Sequence, residues 1–340
     1  MSGWKVDWRV EIEGEDISQD LRPYLMSISA TDKVGLTSDR CSLVLDDTDG
    51  QIKLPSAGSK LTVYLENYKV FEGVTERPKS TGSRGGGMKL TVKAKGTDDA
   101  SKIKQPLTQH KDGGSLEDFL QGLGKTTGVE IVVDKALGGI TRNYWGVAGV
   151  SLLQAGQQLA KEHSGIFKVR GKKAILKAKG TDDKLPEVVC ERGKNLISWS
   201  VEPRDLRRVF AGGKARHFDR KTAKVKEVKR PWKQAEIDGG LSSGDERVDN
   251  ALRAMAADES TAEKSIDAAE SRGRREGGTG TVTINLEPAA QAEAPCRLKG
   301  LRSGIDGLYR IESRTHKASR GAGATTTLKI KDPQGGAGER

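Results

Sequence analysis

The sequence has little of the apolar material from which most proteins of its length build a core. Aromatic residues make up 4% and hydrophobic residues 34% of the 340 residues. No apolar run approaches the ~18 residues of a membrane-spanning helix, so we expect no stable membrane binding. This shortage predicts thin layers, long hairpins and surfaces that become complete only when subunits assemble. Alternating apolar and polar segments recur throughout and argue against a disordered chain.

Residues suited to metal binding or catalysis are also sparse. The cysteines are Cys41, Cys190 and Cys296, and the histidines are His110, His163, His217 and His316. No Cys-x-x-Cys occurs and no two histidines have the spacing of metal ligands on a helix, which argues against zinc. We expect half-buried thiols, with disulfides between subunits left open. The sequence therefore indicates no enzyme and no catalytic, metal-binding or cofactor-binding residues.

Positive charge is the most prominent property that the sequence does have. The formal net charge is +11, which favours acidic partners such as nucleic acid, although 47 acidic residues are interspersed along the chain. The densest basic stretch, residues 204–233, also contains Phe210, Phe218 and Trp232. That composition is typical of a nucleic-acid binder. The alternation at 224–229 instead favours a strand hairpin with one solvated basic face, and an acidic protein partner would explain the charge equally well.

Hydrophobic periodicity divides the chain into three parts. Residues 1–100 alternate with a period of two and predict an antiparallel β-barrel or sandwich, with a flexible basic hairpin tip at 77–88. Residues 101–187 predict a small inserted α/β module. Its two helices begin at Ser115 and Ser151, and we expect them to end at Gly124 and Gly165.

Residues 188–332 return to strands and predict a second β-domain. One long polar helix, from about 245 to 275, is expected to interrupt these strands. Its apolar stripe consists of Val248, Leu252, Met255, Ala262, Ile266 and Ala269. Residues 333–340 are expected to form a flexible tail. The predicted fold class is mainly β (α+β), with two β-domains, an inserted α/β module and one long helix.

A carboxylate cluster near the N-terminus has three possible roles: a metal loop, an acid–base pair or a turn. It consists of Asp46, Asp47, Asp49 and Gly50. Calcium loops need different spacing before the glycine and an acidic twelfth residue, neither of which is present. Asp-Gly is a strong turn former, because aspartate tolerates strained backbone and glycine accepts positive φ. We therefore predict a turn between two strands.

A second stretch, Gly-Leu-Gly-Lys-Thr-Thr-Gly at 122–128, looks like the end of a phosphate-binding loop. Phe119 stands where that motif requires its first glycine, and the stretch ends a helix instead of beginning one. Helix-terminal carbonyl groups cannot cradle a phosphate. We predict that this stretch binds no nucleotide.

Several stretches, taken in order, resemble the late control D family of contractile-tailed phages. They include an Asp-x-x-Gly-x-x-x-Leu-Pro-x-x-Gly turn (Asp47, Gly50, Leu54, Pro55, Gly58), the helix module 151–165, and strands with Tyr309, Ile311, Thr315, His316 and 325–328. The resemblance covers essentially the whole chain and depends on the order and spacing of these motifs. The hub part of type VI secretion spike proteins is similar to this family.

The resemblance implies a structural baseplate hub, found in the tail baseplate of a virion and assembled in the host cytoplasm. Each chain would contribute two tail-tube-like barrels, and a homotrimer would form a pseudo-sixfold ring between a hexameric tail tube and a trimeric spike. The implied partners are the tube or its initiator protein, the spike, wedge proteins and the tape-measure protein, with DNA only in transit. No spike repeat follows Ile330, so we expect a separate spike chain.

Two other functions remain open from the sequence. A tail-associated peptidoglycan hydrolase is one, although no carboxylate pair is placed for that chemistry. A basic nucleic-acid-binding module is the other, and its binding would depend strongly on salt.

Overall fold

The protein is mainly β, which confirms the predicted fold class. The computed structural model describes residues 3–34, 39–96, 102–170, 172–179, 185–203, 210–219, 222–232, 249–256, 258–275, 278–334 and 337. Within these ranges there are twenty-two strands and five α-helices.

Residues 8–95 form eight strands and one short helix. In chain order these are β1 (Trp8–Ile12), β2 (Glu15–Asp16), α1 (Ser18–Leu21), β3 (Leu25–Lys33), β4 (Arg40–Asp46), β5 (Lys60–Leu65), β6 (Tyr68–Thr75), β7 (Lys79–Ser83) and β8 (Gly87–Lys95). The predicted alternation is confirmed, because Leu61, Val63 and Leu65 on β5 are buried while the residues between them are not. Such strands bury one face of the sheet and leave the other to solvent.

Residues 102–178 form helices and short strands after a turn of 3₁₀ helix at Lys102–Lys104. They are β9 (Pro106–Asp112), α2 (Leu116–Thr127), β10 (Glu130–Val133), α3 (Lys135–Gly138), β11 (Tyr144–Ser151), α4 (Leu152–Glu162), β12 (Gly165–Arg170) and β13 (Lys173–Ala178). Strands β10, β13 and β12 form one sheet, in which β10 and β13 are parallel, and β9 pairs with β11. The helices pack on these strands around one hydrophobic cluster.

Residues 188–334 form the remaining strands and the longest helix. They are β14 (Val188–Glu191), β15 (Leu196–Glu202), β16 (Gly212–Asp219), β17 (Lys224–Pro231), β18 (Asn250–Ala256), α5 (Glu259–Arg275), β19 (Thr279–Asn285), β20 (Pro295–Lys299), β21 (Gly307–Ser319) and β22 (Gly323–Gln334). Because β22 continues to Gln334, the predicted flexible tail begins too early: residues 333 and 334 still belong to a strand.

A single fourteen-stranded sheet joins the two ends of the chain. Its order is β15-β19-β22-β21-β3-β4-β8-β6-β5-β1-β2, with β7 beside β8, and with β20 beside β21 and β14 beside β20. The two halves meet where β21 pairs with β3 over seven residues, from Ser313–Lys33 to Ser319–Ser27. Among the described strands neither half closes on itself, so the two predicted barrels are two parts of one open sheet within a single chain.

Both helices begin at the predicted serines, and each start has a capping box. Ser115 and Asp118 exchange hydrogen bonds at the start of α2, as do Ser151 and Gln154 at the start of α4. The predicted helix ends were wrong, because α2 continues through Gly124 and stops at Gly128, whose φ is 72°, and α4 stops before Gly165. A Cβ on Gly124 would lie 2.5 Å from the Val129 carbonyl oxygen. This glycine therefore permits close packing of the helix and does not end it.

The long helix is shorter than predicted and lies elsewhere. It begins at Glu259, after Asp258 accepts a hydrogen bond from the Thr261 N–H at 2.8 Å, as an N-cap does. Leu252 and Met255 of the predicted stripe belong instead to β18, and Val248 lies outside the described residues.

The rest of the apolar stripe faces a separate small sheet. Ala262, Ile266 and Ala269 of α5 pack against Ala215 of β16 and against Trp232. That sheet has the order β17-β16-β18. The helix therefore covers this small sheet, and it also contacts β22 of the fourteen-stranded sheet. It reaches the inserted module as well, where the Arg272 guanidinium donates to the Lys161 carbonyl at 3.1 Å.

Replacing Gly156 with alanine should destabilise the protein by about 1–3 kcal/mol. A Cβ at this position of α4 would overlap the ring of Phe167, which is 2% exposed on β12. Gly139→Ala is the matched control, because its Cβ would meet nothing within 4 Å. Urea denaturation of both variants measures the difference. Equal stability of the two would show that the Phe167 ring has room to move.

Candidate functional site

The carboxylate cluster forms a turn, as predicted. Asp46 accepts hydrogen bonds from the Thr48 N–H at 3.2 Å and the Thr48 hydroxyl at 2.6 Å, and these bonds hold the pKa of Asp46 below its usual value. The Gly50 N–H donates to the Asp47 carbonyl at 2.9 Å, and Gly50 has a φ of 63°. Within the described ranges, no group of three or more His, Cys, Asp or Glu side chains is arranged to hold a metal ion.

The histidines are dispersed, and three of them, His163, His217 and His316, are buried. Burial lowers the pKa of His316 to about 3, and the ring Nδ1 lies 3.0 Å from the Thr326 hydroxyl. Burial also lowers the pKa of His163 to about 4, although Glu162 opposes the shift. The Arg142 guanidinium contacts both Glu162 and the His163 ring. Both imidazoles are thus held neutral by packing.

The cysteines are more buried than predicted. Cys41 is 3% exposed, and Cys190 and Cys296 are fully buried, with their sulfur atoms 3.6 Å apart on β14 and β20. Burial raises the pKa of the Cys41 thiol to about 12. All three are free thiols. Because none lies at the surface of the folded chain, none is placed to link one subunit to another.

The basic stretch forms β16 and β17, with its residues 204–209, 220–221 and 233 outside the described part of the chain. The rings of Phe210 and Trp232 make an edge-to-face contact at 5.4 Å within the cluster below α5, while Phe218 is 42% exposed. Its ion pairs are Lys226–Asp219, Arg230–Asp267, and Lys214 and Lys229 with Asp249. Two of the three interleaved aromatics therefore serve as core, and many of the cations are neutralised.

A buried ionic cluster joins three parts of the chain. Asp32 of β3 is 3% exposed and accepts a hydrogen bond from the Lys168 ammonium of β12. Lys168 also pairs with Asp39 at 3.2 Å. The second Asp32 oxygen accepts the Ala292 N–H at 3.3 Å and lies 3.9 Å from the Arg314 guanidinium of β21. The cluster therefore fixes the inserted module against the seam between β3 and β21.

Arg314 extends this cluster into the N-terminal core. Its guanidinium donates to the Val70 carbonyl of β6 at 2.9 Å, and the residue is 6% exposed. Beside it on the seam, the hydroxyl groups of Thr31 and Thr315 lie 3.0 Å apart. The polar groups at this junction thus hold both halves of the large sheet and the inserted module in one arrangement.

One edge of the large sheet is blocked. Along β1, the Val10 N–H donates to the Ser18 hydroxyl at 2.9 Å, and the Val10 carbonyl accepts the Ile17 N–H at 3.0 Å. The outer edge of β14, which pairs with β20, is covered in a similar way. The Asn195 side-chain amide donates to the Val189 carbonyl, and its oxygen accepts a hydrogen bond from the Glu191 N–H. Such coverings protect strand edges against pairing with another chain.

The opposite edge of the sheet, β15, is open. Across the described residues β15 pairs with β19 alone. Ile197 lies at an irregularity in that pairing and is 53% exposed. Trp199 is 44% exposed although it lies directly opposite Val282, which is fully buried. Because paired residues share a face, Trp199 continues the core face of the sheet beyond the point where this chain covers it.

None of the described helices is long and apolar enough to cross a membrane. The arrangement of the site is that of an assembly surface: a junction that holds three parts of the chain together, two covered strand edges, and an open edge at β15 with partly exposed apolar side chains.

Two sequence relatives of this chain are both probable baseplate hub proteins of phages. No protein-family model matches the sequence. The chain is 26% identical over 198 residues to the probable baseplate hub protein of Escherichia phage P2, a match that covers 55% of this chain and 50% of the phage protein. It is also 37% identical over 54 residues to the probable baseplate hub protein of Escherichia phage 186, covering 16% of this chain and 14% of that protein. The matched residues therefore span half the length of the P2 protein and 14% of the length of the 186 protein.

Solved structures with the same fold include phage and prophage tail proteins. A 43 kDa tail protein of prophage MuSo2 from Shewanella oneidensis has a TM-score of 0.72 at 13% identity, covering 95% of this chain and 97% of that one. A tail protein from Neisseria meningitidis MC58 has a TM-score of 0.70 at 14% identity, with 96% of both chains covered. The predicted resemblance is confirmed: the chain is a sequence relative of phage baseplate hub proteins and has the fold of phage tail proteins.

Proposed function

We propose that this chain is a structural subunit of the baseplate hub of a contractile phage tail or a related injector. It assembles as a homotrimer whose ring joins a hexameric tail tube to a trimeric spike. The similarity to the P2 and 186 hub proteins supports this role. The open edge of β15, where Ile197 and Trp199 are 53% and 44% exposed, is the observation that carries the proposal.

The mechanism follows from the unequal edges of the sheet. A contact between an open edge and a different surface of the next copy is heterologous, and it gives a closed ring when the rotation between copies is one third of a turn. Each chain contributes two halves of one sheet, so three chains present six related units. A ring of this kind matches a sixfold tube on one side and a threefold spike on the other.

Other parts of the proposal concern partners and organisation. Residues 1–100 and 188–332 form the two tube-like domains, and residues 101–187 form the inserted module. The tube or its initiator, the spike chain, wedge proteins and the tape-measure protein bind the ring, and DNA only passes through it. The assembled protein belongs to the virion tail and forms in the host cytoplasm.

The proposed role requires no catalysis. Asp32, the most deeply buried carboxylate of the junction, is held by Lys168 and the Ala292 N–H. This fixed and inaccessible position suits an anchor and does not suit a group that must exchange protons with a substrate. A zymogram on isolated cell walls is expected to show no cleared band.

The decisive experiment is a mass measurement on the full-length chain. Light scattering after size exclusion should give three times the 36.6 kDa chain mass, alone or with the tube and spike chains present. Electron microscopy of the same sample should show a ring with a central opening. A compact monomer under all these conditions would contradict the hub role.

A further inference from the structure

A two-stranded ribbon lies at the edge of the N-terminal half of the sheet, with β8 paired to β4 on its inner side and β7 outermost. It is formed by β7 and the start of β8, whose residues pair from Lys79–Thr91 to Ser83–Gly87 around a turn at residues 84–86. Every residue of β7 is exposed, as are the first three residues of β8. Such exposure of both faces is unusual for a strand that only supports a core.

The ribbon is basic, and three of its cations form no ion pair. Residues 77–93 contain five lysines and arginines and no aspartate or glutamate. Within the part of the chain that the structure describes, Arg77, Lys79 and Arg84 are exposed and form no ion pair. The basic strand β17 differs in this respect, because three of its cations pair with Asp219, Asp249 and Asp267.

The ribbon also has an open edge. In the described chain β7 pairs with β8 alone, so its other side presents main-chain N–H and C=O groups to solvent. An extended segment of another protein can add to such an edge as a further strand. Natural proteins guard open edges with lysine, which discourages pairing with neutral or basic strands and leaves acidic strands as suitable partners.

We propose that the outer edge of β7 is a docking site for an extended acidic segment of a partner protein. The segment pairs its main chain with residues 79–83, and its carboxylates lie beside Lys79 and Arg84. A protein segment fits better than nucleic acid, because residues 77–93 include no aromatic side chain on which a base can stack. The inference stands apart from the proposed ring, because the ribbon and β15 lie on different strands of the sheet.

The test uses the full-length chain and a fluorescent ten-residue peptide in which glutamate alternates with threonine or valine. Fluorescence anisotropy should show saturable binding that weakens as salt rises. The charge reversal Lys79→Glu with Arg84→Glu should weaken binding by about tenfold or more. The matched control is Lys135→Glu with Lys224→Glu, which changes net charge equally at two other exposed lysines and should leave the affinity within about twofold.

Two further probes separate the alternatives. A peptide of the same charge with two central prolines should bind at least about tenfold more weakly, because proline removes donors and prevents strand pairing. A 20-base-pair duplex should bind no more tightly to the wild type than to the Lys79→Glu/Arg84→Glu variant.

Three results would overturn the proposal. The first is equal binding of the proline peptide, and the second is unchanged peptide binding in the Lys79→Glu/Arg84→Glu variant. The third is duplex binding that this variant loses and the control variant keeps. Light scattering of the Lys79→Glu/Arg84→Glu variant distinguishes failure of the docking site from failure of the proposed trimer. A trimer that persists while peptide binding is lost supports the docking site, whereas a trimer that dissociates assigns the ribbon to the contact between copies.

Discussion

Asp32→Ala is expected to lower the free energy of unfolding by about 3–5 kcal/mol, because it removes the buried carboxylate that Arg314 and Lys168 share and leaves Lys168 with Asp39 alone. Lys168 and Arg314 both face this carboxylate, and their side chains are 23% and 7% exposed. The substitution also removes the acceptor for the Ala292 N–H. Since the three groups belong to different parts of the chain, the loss should appear in the cooperative unfolding of the whole molecule.

The control for Asp32→Ala is Glu72→Ala. Glu72 pairs with Lys69 at 2.6 Å, but both side chains are more than half exposed, so this loss should stay below about 1 kcal/mol. Urea denaturation at pH 7 measures both variants. Similar small losses in the two would mean that the junction is held by strand pairing and not by the buried charges.

The lowered pKa of Asp32 also predicts how the free energy of unfolding depends on pH. Burial alone would raise the pKa of Asp32, but Lys168 and Arg314 more than offset it and keep the folded-state pKa well below the ordinary value of 3.8. A carboxylate with a lowered pKa stabilises the fold above its unfolded-state pKa, and this contribution is lost as pH falls below about 4. Asp32→Ala should therefore lose less stability than wild type between pH 5 and 3.

Changing both exposed side chains of the open edge, Ile197→Lys with Trp199→Lys, is expected to convert the trimer into a monomer. Lysine on a strand edge opposes pairing with a second chain, because its charge must then lose solvent. The two native side chains are 53% and 44% exposed in the single chain. Their burial in the ring would supply on the order of 2–4 kcal/mol per contact.

A matched variant controls for the change in charge and hydrophobicity. Leu54→Lys with Tyr68→Lys removes two apolar side chains that are 59% and 52% exposed but lie away from β15. This variant should keep the trimer mass in light scattering, and the thermal unfolding of both variants should report a folded chain. Loss of the trimer in the control alone would place the contact between copies elsewhere.

Strand alternation, helix starts and a turn could be predicted from the sequence, because each depends on residues that are close together in the chain. The alternation of Leu61, Val63 and Leu65, the helix starts at Ser115 and Ser151, and the Asp-Gly turn at 49–50 all have the predicted form. Each depends on interactions within a few residues, so the pattern and the structure carry the same information.

Helix boundaries that depend on tertiary packing could not be predicted from the sequence. Leu252 and Met255 have helical spacing from the residues of α5, yet they belong to β18, which pairs with β16. Gly124 looked like a helix end because glycine commonly ends helices, but here it allows α2 to approach the Val129 carbonyl. Tertiary contacts outweighed local propensity at both places.

From the residues alone we could assign the chain to a class: a mainly β chain with an α/β insertion, poor in apolar residues, whose motifs resemble phage hub proteins. The folded chain was needed to show that β21 joins β3 into one sheet, that Asp32 meets Lys168 and Arg314, and that β15 is left open while β1 is covered. Strands β3 and β21, and Asp32 and its two cations, are separated by more than a hundred residues along the chain. No local pattern records which of such distant segments become neighbours.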